Sequence, residues 1–460
     1  MVLGLLAVPA AAPAVAAVTA GPAFTDADGI HVVSARQLDA REYDVTIVPA
    51  ALGRPVDVRV LVPADYGQRP TAHFPSLYLY HGTSGRASDW VTMGDAEATT
   101  AGRDLIVVMP DAGFNGDGGG WFTNWVDTQT ALGPSQWETF DIAELVPWVD
   151  HNLRTVATRA GRAIAGLSQG GFGSTTYAAR HPDMFLSAGS FSGAPDIDYN
   201  PAVAAGATVI IEGTAFGLDG VEPQAMFGSR ATDEINWQGH DPAQLATNLR
   251  AVSLWLYTAT GAPGPLDPPT PNPAASAIEA ATHGSTISFV QRLQAVGVAY
   301  HLDDYVYGTH TWPYWARDLR WYIDPLMQLF AHPPPAPSPV SYASIDSSWS
   351  QWGWSVQLSR VAAQEFSWLD GAGPAGFSLA GTGRAAVTTP AFYPPGAAES
   401  VTMSGASGAG GSGVYLADAG GRLRLTVPLG TGSPPAVVGV PAAPGPGETT
   451  TVTIRPVRGR

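Results

Sequence analysis

Arg162-Ala163-Ile164-Ala165-Gly166-Leu167-Ser168-Gln169-Gly170-Gly171 is the stretch on which the fold turns. A short apolar run enters a G-x-S-x-G pentapeptide, and small residues from 171 to 180 follow with the look of a helix. A serine on a sharp strand-to-helix turn needs glycine two positions to either side, because side chains there would collide. In a chain with 53 glycines the pentapeptide alone is only moderately specific. Its setting between strand and helix makes Ser168 the candidate nucleophile.

Outward from this turn, short apolar runs recur at residues 76–80, 105–109, 207–211 and 253–257, with helix-like stretches such as 141–152 and 174–180 between them. Continuous apolar strands alternating with helices predict a mostly parallel sheet covered on both faces. Residues 43–48 and 56–62 alternate apolar and polar instead, as an antiparallel hairpin at a sheet edge does. The fold class expected is α/β, an α/β-hydrolase, over residues 21–332. A stiff spacer, Pro-Pro-Pro-Ala-Pro-Ser-Pro, occupies the linker 333–340. Beyond it, short β-prone runs at 353–358, 385–389, 400–403, 422–427 and 449–454 predict a small all-β sandwich over 341–460.

Composition narrows the chemistry. The chain has 460 residues, no cysteine and a formal net charge of −16. A Cys nucleophile, disulfides and zinc–thiolate sites are excluded, and an acidic chain without a basic cluster repels nucleic acid. Residues 1–20 are small and apolar, with an A-x-A choice at Ala14-Val15-Ala16, so they read as an export segment that lacks a charged start. The expected location is secreted or cell-wall associated. No later run of about 20 continuous apolar residues predicts a membrane span.

A serine nucleophile needs a base, and in this fold the order along the chain is Ser, acid, His. His310, in Tyr307-Gly308-Thr309-His310-Thr311-Trp312, follows the strand-like run 298–306 and precedes an aromatic helix. It is the expected base. For the acid, Glu279, Asp267, Asp303 and Asp304 all stand at usable positions, and pattern alone does not separate them. The oxyanion hole is expected from the backbone N–H groups of Thr83, after the run ending at Tyr80, and of Gln169. His81, Trp312 and Trp315 are candidate substrate contacts. The glycine-rich loop 113–120 lacks the lysine of a phosphate-binding loop and reads as a rim, with an ion at Asp117 as a lesser reading. Trp349, Trp352, Trp354 and Trp368 either stack on a wall glycan or fill the sandwich core. No cofactor or metal is expected.

The pentapeptide, together with His181-Pro182-Asp183-Met184-Phe185, Gly189-Ser190-Phe191-Ser192-Gly193, Trp137-Glu138-Thr139-Phe140 and His310-Thr311-Trp312-Pro313-Tyr314-Trp315, resembles the esterase-D-like branch of the α/β-hydrolases. Within it the closest likeness is to secreted mycolyltransferases of the antigen 85 type, over roughly residues 40–330. The resemblance implies Ser168 as nucleophile, His310 as base and Glu279 as acid, with Thr83 and Gln169 at the oxyanion hole. The implied substrate is an acyl ester, glycolipid or polyester, hydrolysed or passed to an alcohol such as trehalose. His81-Gly82-Thr83-Ser84 departs from the Asp-Gly-Leu-Arg of that family, whose aspartate and arginine help hold the sugar. Arg86 and Asp89 are the nearest substitutes.

Overall fold

The computed structural model describes residues 21–114, 118–361, 364–405, 410–431, 437–439 and 449–457. The export reading at 1–20 and the ion reading at Asp117 fall outside them.

Nine strands form the main sheet: β1 (Ile30–Gln37), β2 (Glu42–Pro49), β3 (Val56–Leu61), β4 (Ser76–Tyr80), β5 (Ile106–Pro110), β6 (Arg162–Leu167), β7 (Ser187–Phe191), β8 (Ser253–Thr258) and β9 (His301–Asp304). Their order is β1-β2-β3-β5-β4-β6-β7-β8-β9. The first three strands are antiparallel, and β3 meets β5 antiparallel. From β5 to β9 every neighbour is parallel. The expected hairpin is β2–β3.

Both faces of the central strands are covered, which is why their sequences lack alternation. Leu77, Leu79, Val107, Ala163 and Ala165 face one core with Trp90, Trp315 and Tyr322. Tyr78, Tyr80, Ile106, Val108 and Ile164 face the other with Trp148, Phe172 and Tyr177. The five longer helices are α1 (Val146–Asn152), α2 (Gln169–Arg180), α3 (Pro201–Thr214), α4 (Pro273–Ala295) and α5 (Trp312–Ala331).

One strand was misplaced by the sequence reading. Residues 207–211 lie inside α3, not in the sheet. The Asn200 side chain accepts the Ala202 and Val203 N–H groups, Pro201 stands at the start, and the β-branched run Thr208-Val209-Ile210-Ile211 follows in helical frame. The strand in its stead is β7, Ser-Ala-Gly-Ser-Phe, where small residues let α2 approach: a Cβ on Gly171 would strike Ser190 Oγ and Gly193 Cα. With its π-helical extension, α3 runs to Asp219 and is long and apolar enough to cross a membrane by length and composition, although the sequence there shows no unbroken apolar run. Helix 141–152 is split into a π-helical turn Thr139–Leu145 and α1.

Two antiparallel sheets follow and share one core. The larger has, in spatial order, Val340–Ser344, Ser367–Gly373, Gly376–Ala380, Thr449–Pro456, Ala398–Gly405 and Gly411–Leu416. The smaller has Ser348–Gln351, Trp354–Ser359, Arg384–Thr388 and Arg424–Pro428. Val340, assigned by sequence to the spacer, already pairs with Ala372. Trp349 and Trp354 are buried in the shared core, and Trp368 packs against the hydrolase core. They are therefore not the exposed stacking platform that a glycan would need; Trp352 is half-buried.

The sandwich is also fastened to the hydrolase. Ile345 and Phe366 join the hydrolase core. Arg180, at the end of α2, pairs with Glu138 at 2.7 Å and with Asp346 at 3.1 Å. Its carbonyl accepts the Tyr342 hydroxyl and the Gln351 amide.

Candidate active site

Ser168 joins β6 to α2 with φ 52° and ψ −120°, a backbone conformation that costs on the order of 1–3 kcal/mol for a non-glycine residue. The turn closes because Gly166 and Gly170 lack side chains. A Cβ on Gly166 would run into the Gly170 backbone, and one on Gly170 into the carbonyls of His81 and Tyr80. Ser168 N–H donates to Phe191 O of β7 at 3.0 Å, which fixes the turn above the sheet.

His310, expected from sequence as the base, sits beside a buried carboxylate. His310 leaves the loop after β9, and its N–H donates to Ala275 O at the start of α4. Its Nδ1 lies 2.8 Å from Glu279 Oε2. Glu279 is fully buried in α4, and its other oxygen accepts from Ser192 Oγ and Ala259 N–H, both at 2.9 Å. A carboxylate so held keeps Nδ1 protonated and leaves Nε2 as the acceptor. His310 Nε2 is buried and makes no hydrogen bond. Trp315 packs edge-on against the imidazole at 4.9 Å.

The other carboxylates weighed for this position are used elsewhere. Asp267 accepts from Thr309 Oγ1 and from Tyr314 OH, so it pins the residues around His310 without touching the ring. Asp303 pairs with Arg317. Asp304 holds His283.

The loop after β4 leans on Ser168, since a Cβ on Gly82 would meet Leu167 and Ser168 Cβ. Thr83, expected at the oxyanion hole, follows Gly82 in this loop and is exposed. His81, expected to touch substrate, is instead buried at 3% exposure. Its Nε2 lies 2.9 Å from the Ala112 N–H and its Nδ1 2.7 Å from Gly82 O. The ring is therefore a neutral clamp between two loops, because only the Nδ1–H tautomer can donate to a carbonyl and accept from an amide. The sequence offered no sign of this, since His-Gly at a strand end reads equally as a ligand or a turn. Trp315, at 6% exposure, is likewise a wall behind His310 and not a lining residue. Trp312 is half-buried and edge-on to Trp90 and Trp315. Asp89 is committed to the Arg86 backbone N–H.

The Gln169 side chain reaches away from the serine, and its Nε2 donates to Gly118 O at 3.1 Å. Gly118 N–H in turn donates to Asp219 at the end of the extended α3. Beneath the site, Asp141 accepts the Tyr80 and Tyr177 hydroxyls at 3.0 and 2.8 Å. Burial pushes its carboxyl up to about 8, against the pull of those two donors.

A strained serine between obligate glycines and a buried Glu–His pair, set at the carboxyl ends of parallel strands, define the class of molecule: an α/β-hydrolase with a nucleophile turn. The family model described as "Putative esterase" matches residues 49–321, and the chain belongs to the Esterase family. Among relatives, the esterase Rv1288 of Mycobacterium tuberculosis is 40% identical over 171 residues, which cover 37% of this chain and 36% of that protein. The chain thus spans about a third of that relative's length. The MPT51/MPB51 antigen of the same organism is 32% identical over 303 residues, 63% of this chain and 89% of the antigen. Its crystal structure superposes with a TM-score of 0.47 at 29% identity, covering 60% of this chain and 94% of that one. The diacylglycerol acyltransferase/mycolyltransferase Ag85B of Mycobacterium leprae is 30% identical over 256 residues, 54% of this chain and 73% of that protein.

Proposed function

We propose that the chain is an exported serine esterase or acyltransferase that works through an acyl-serine intermediate. The observation that carries this reading is the buried Glu279–His310 pair at 2.8 Å with Nε2 left unbonded, linked to the strained Ser168 turn through the end of β7, where Phe191 O accepts the Ser168 N–H and Ser192 Oγ donates to Glu279. In the proposed mechanism His310 Nε2 takes the Ser168 hydroxyl proton as Oγ attacks the ester carbonyl. The N–H groups of Thr83 and Gln169 stabilise the oxyanion. Collapse of the tetrahedral intermediate breaks the C–O bond, and His310 returns the proton to the departing alcohol. Water or a second alcohol then enters by the same steps in reverse.

Labelling with a fluorophosphonate followed by intact mass measurement, beside turnover of para-nitrophenyl esters, tests the reading. One adduct on Ser168 and ester turnover are expected, both lost in Ser168→Ala. A protein that takes no adduct and turns over no ester overturns it and leaves a binding protein on a hydrolase scaffold.

Transfer to a sugar is the second reading; the name of the Ag85B relative favours acyl transfer, though it names no acceptor sugar. Against trehalose itself stands the loop His81-Gly82-Thr83-Ser84, in which His81 is spent on Ala112 and Gly82. Added trehalose should divert acyl-enzyme to a sugar ester if this reading holds; free acid alone at every concentration rejects it.

A further inference from the structure

The helix α3 and its extension to Asp219 bury one apolar face, with Ala204, Ile211 and Ala215, and expose a second. Gly206, Val209, Ile210, Gly213 and Phe216 face solvent at three- and four-residue spacing, with Leu218 beyond them. Val209 is 72% exposed, Ile210 58% and Phe216 59%. The polar groups point the other way. Thr208 Oγ1 accepts from Arg230 Nε at 2.9 Å, half-buried Glu212 lies in the field of the same arginine, and Asp219 accepts the Gly118 N–H at 3.0 Å. A contiguous apolar stripe on a surface is a place of contact.

Charge and size select the occupant. Between Pro201 and Asp219 there is no Lys, Arg or His, and the chain carries a net −16. Anionic headgroups and nucleic acid attract basic surfaces and are repelled by this one. From Gly206 to Leu218 the stripe is about 18 Å long and about 10 Å wide, so it covers about 180 Å², well below the roughly 800 Å² per partner of a stable dimer. An uncharged apolar surface suits both limits, because an exposed apolar helix face sinks into an acyl boundary without partner-specific packing. The end of the helix is also tied to the site: Asp219 holds Gly118, and Gly118 O holds the side chain of Gln169 next to Ser168.

We infer that the exposed face of Pro201–Asp219 docks on aggregated, uncharged ester lipid and brings the Ser168 site to its substrate at that surface. The substrate half of this inference rests on the esterase reading; the docking half does not. The test uses the full chain and droplets of trioctanoylglycerol. Wild type and Ser168→Ala should both float with the droplets, and salt should not release them. A Val209→Ser/Ile210→Gln/Phe216→Ser variant should bind at least about tenfold more weakly. It should turn over dissolved para-nitrophenyl acetate like wild type and lose the rate gain on droplets. Val209→Ser alone, at the most exposed position, should weaken flotation in the same direction if the triple variant misfolds.

Flotation unchanged by these substitutions overturns the inference. So does binding confined to phosphatidylglycerol vesicles, or a wild-type dimer that the triple variant dissolves and that shows no affinity for droplets. Wild-type protein that floats but hydrolyses no dissolved ester instead marks failure of the esterase reading, with docking intact.

Discussion

The ring of His81 accepts the backbone N–H of Ala112 through Nε2 at 2.9 Å, and so ties the loop after β4 to the loop after β5. The first of these loops packs on Ser168 through Gly82 and presents Thr83. If Thr83 serves the oxyanion hole as proposed, His81 is a positioning residue for it. Replacing it with alanine should lower kcat by about 10- to 100-fold, at the lower end of what loss of one oxyanion donor costs, with KM nearly unchanged. Steady-state kinetics on para-nitrophenyl butyrate check this; a rise in KM at constant kcat would make His81 a substrate contact after all.

Glu279 and Asp267 separate by experiment as they do in space. Glu279→Gln removes the charge that stabilises the imidazolium and offers an amide that can turn the ring to the wrong tautomer. A fall in kcat of about 10³- to 10⁴-fold is expected. Asp267→Asn disturbs Thr309 and Tyr314 without touching His310, so the expected loss is less than about tenfold in rate and about 1–2 kcal/mol in stability by denaturant melts. The opposite ranking would make Asp267 the acid.

The part of this site legible in sequence was the part written in local backbone need or in spacing. Gly166, Ser168 and Gly170 announce a turn that no other residues allow. His310 lies in the only histidine-bearing loop directly after the strand-like run that closes the sheet. Glu279 was indistinct by pattern, because a buried carboxylate and a solvated one look alike in a helix; only the family resemblance raised it. β7 was missed because Ser-Ala-Gly-Ser-Phe is chosen for closeness to α2 and not for β propensity. Residues 207–211 misled for the converse reason: β-branched residues on an exposed helix face imitate a buried strand. The clamp role of His81 depends on a partner 31 positions away and had no local trace.

Asp141 makes a pH prediction. Burial raises its carboxyl to about 8 from an ordinary 3.8. Between these values the folded protein holds a proton that the unfolded chain has released, so stability falls as pH rises, by up to about 1.4 kcal/mol per pH unit for this group. Asp111, raised to about 7 by burial, adds in the same direction over a narrower window. Glu138 has the opposite sign: Arg180, His181 and His240 hold it well below the usual range despite burial, so its contribution is lost in acid as pH falls below about 4.5. Urea melts from pH 5 to 9 should show falling stability in wild type and a flatter profile in Asp141→Asn. Equal slopes for the two proteins would mean that Asp141 titrates normally.

Arg180 couples the hydrolase to the sandwich, and its two ion pairs should count unequally. Its partner Glu138 is buried, and removing the guanidinium leaves that carboxylate with only His181 and His240. Breaking a buried pair in this way costs about 3–5 kcal/mol. Asp346 is 42% exposed at the side chain and is screened by water, so Asp346→Asn should cost about 1 kcal/mol or less. In calorimetry, wild type should unfold in one transition, because Tyr342 and Gln351 bond the Arg180 carbonyl and Ile345 and Phe366 sit in the hydrolase core. Arg180→Ala should lower the melting temperature far more than Asp346→Asn and should weaken this coupling between the two parts. Deleting residues 340–460 should strip cover from the hydrolase core and lower its solubility as well as its melting temperature. If the truncated chain melts like wild type, or if Arg180→Ala and Asp346→Asn are equally mild, the sandwich is an independent appendage and the buried network around Glu138 serves the hydrolase alone.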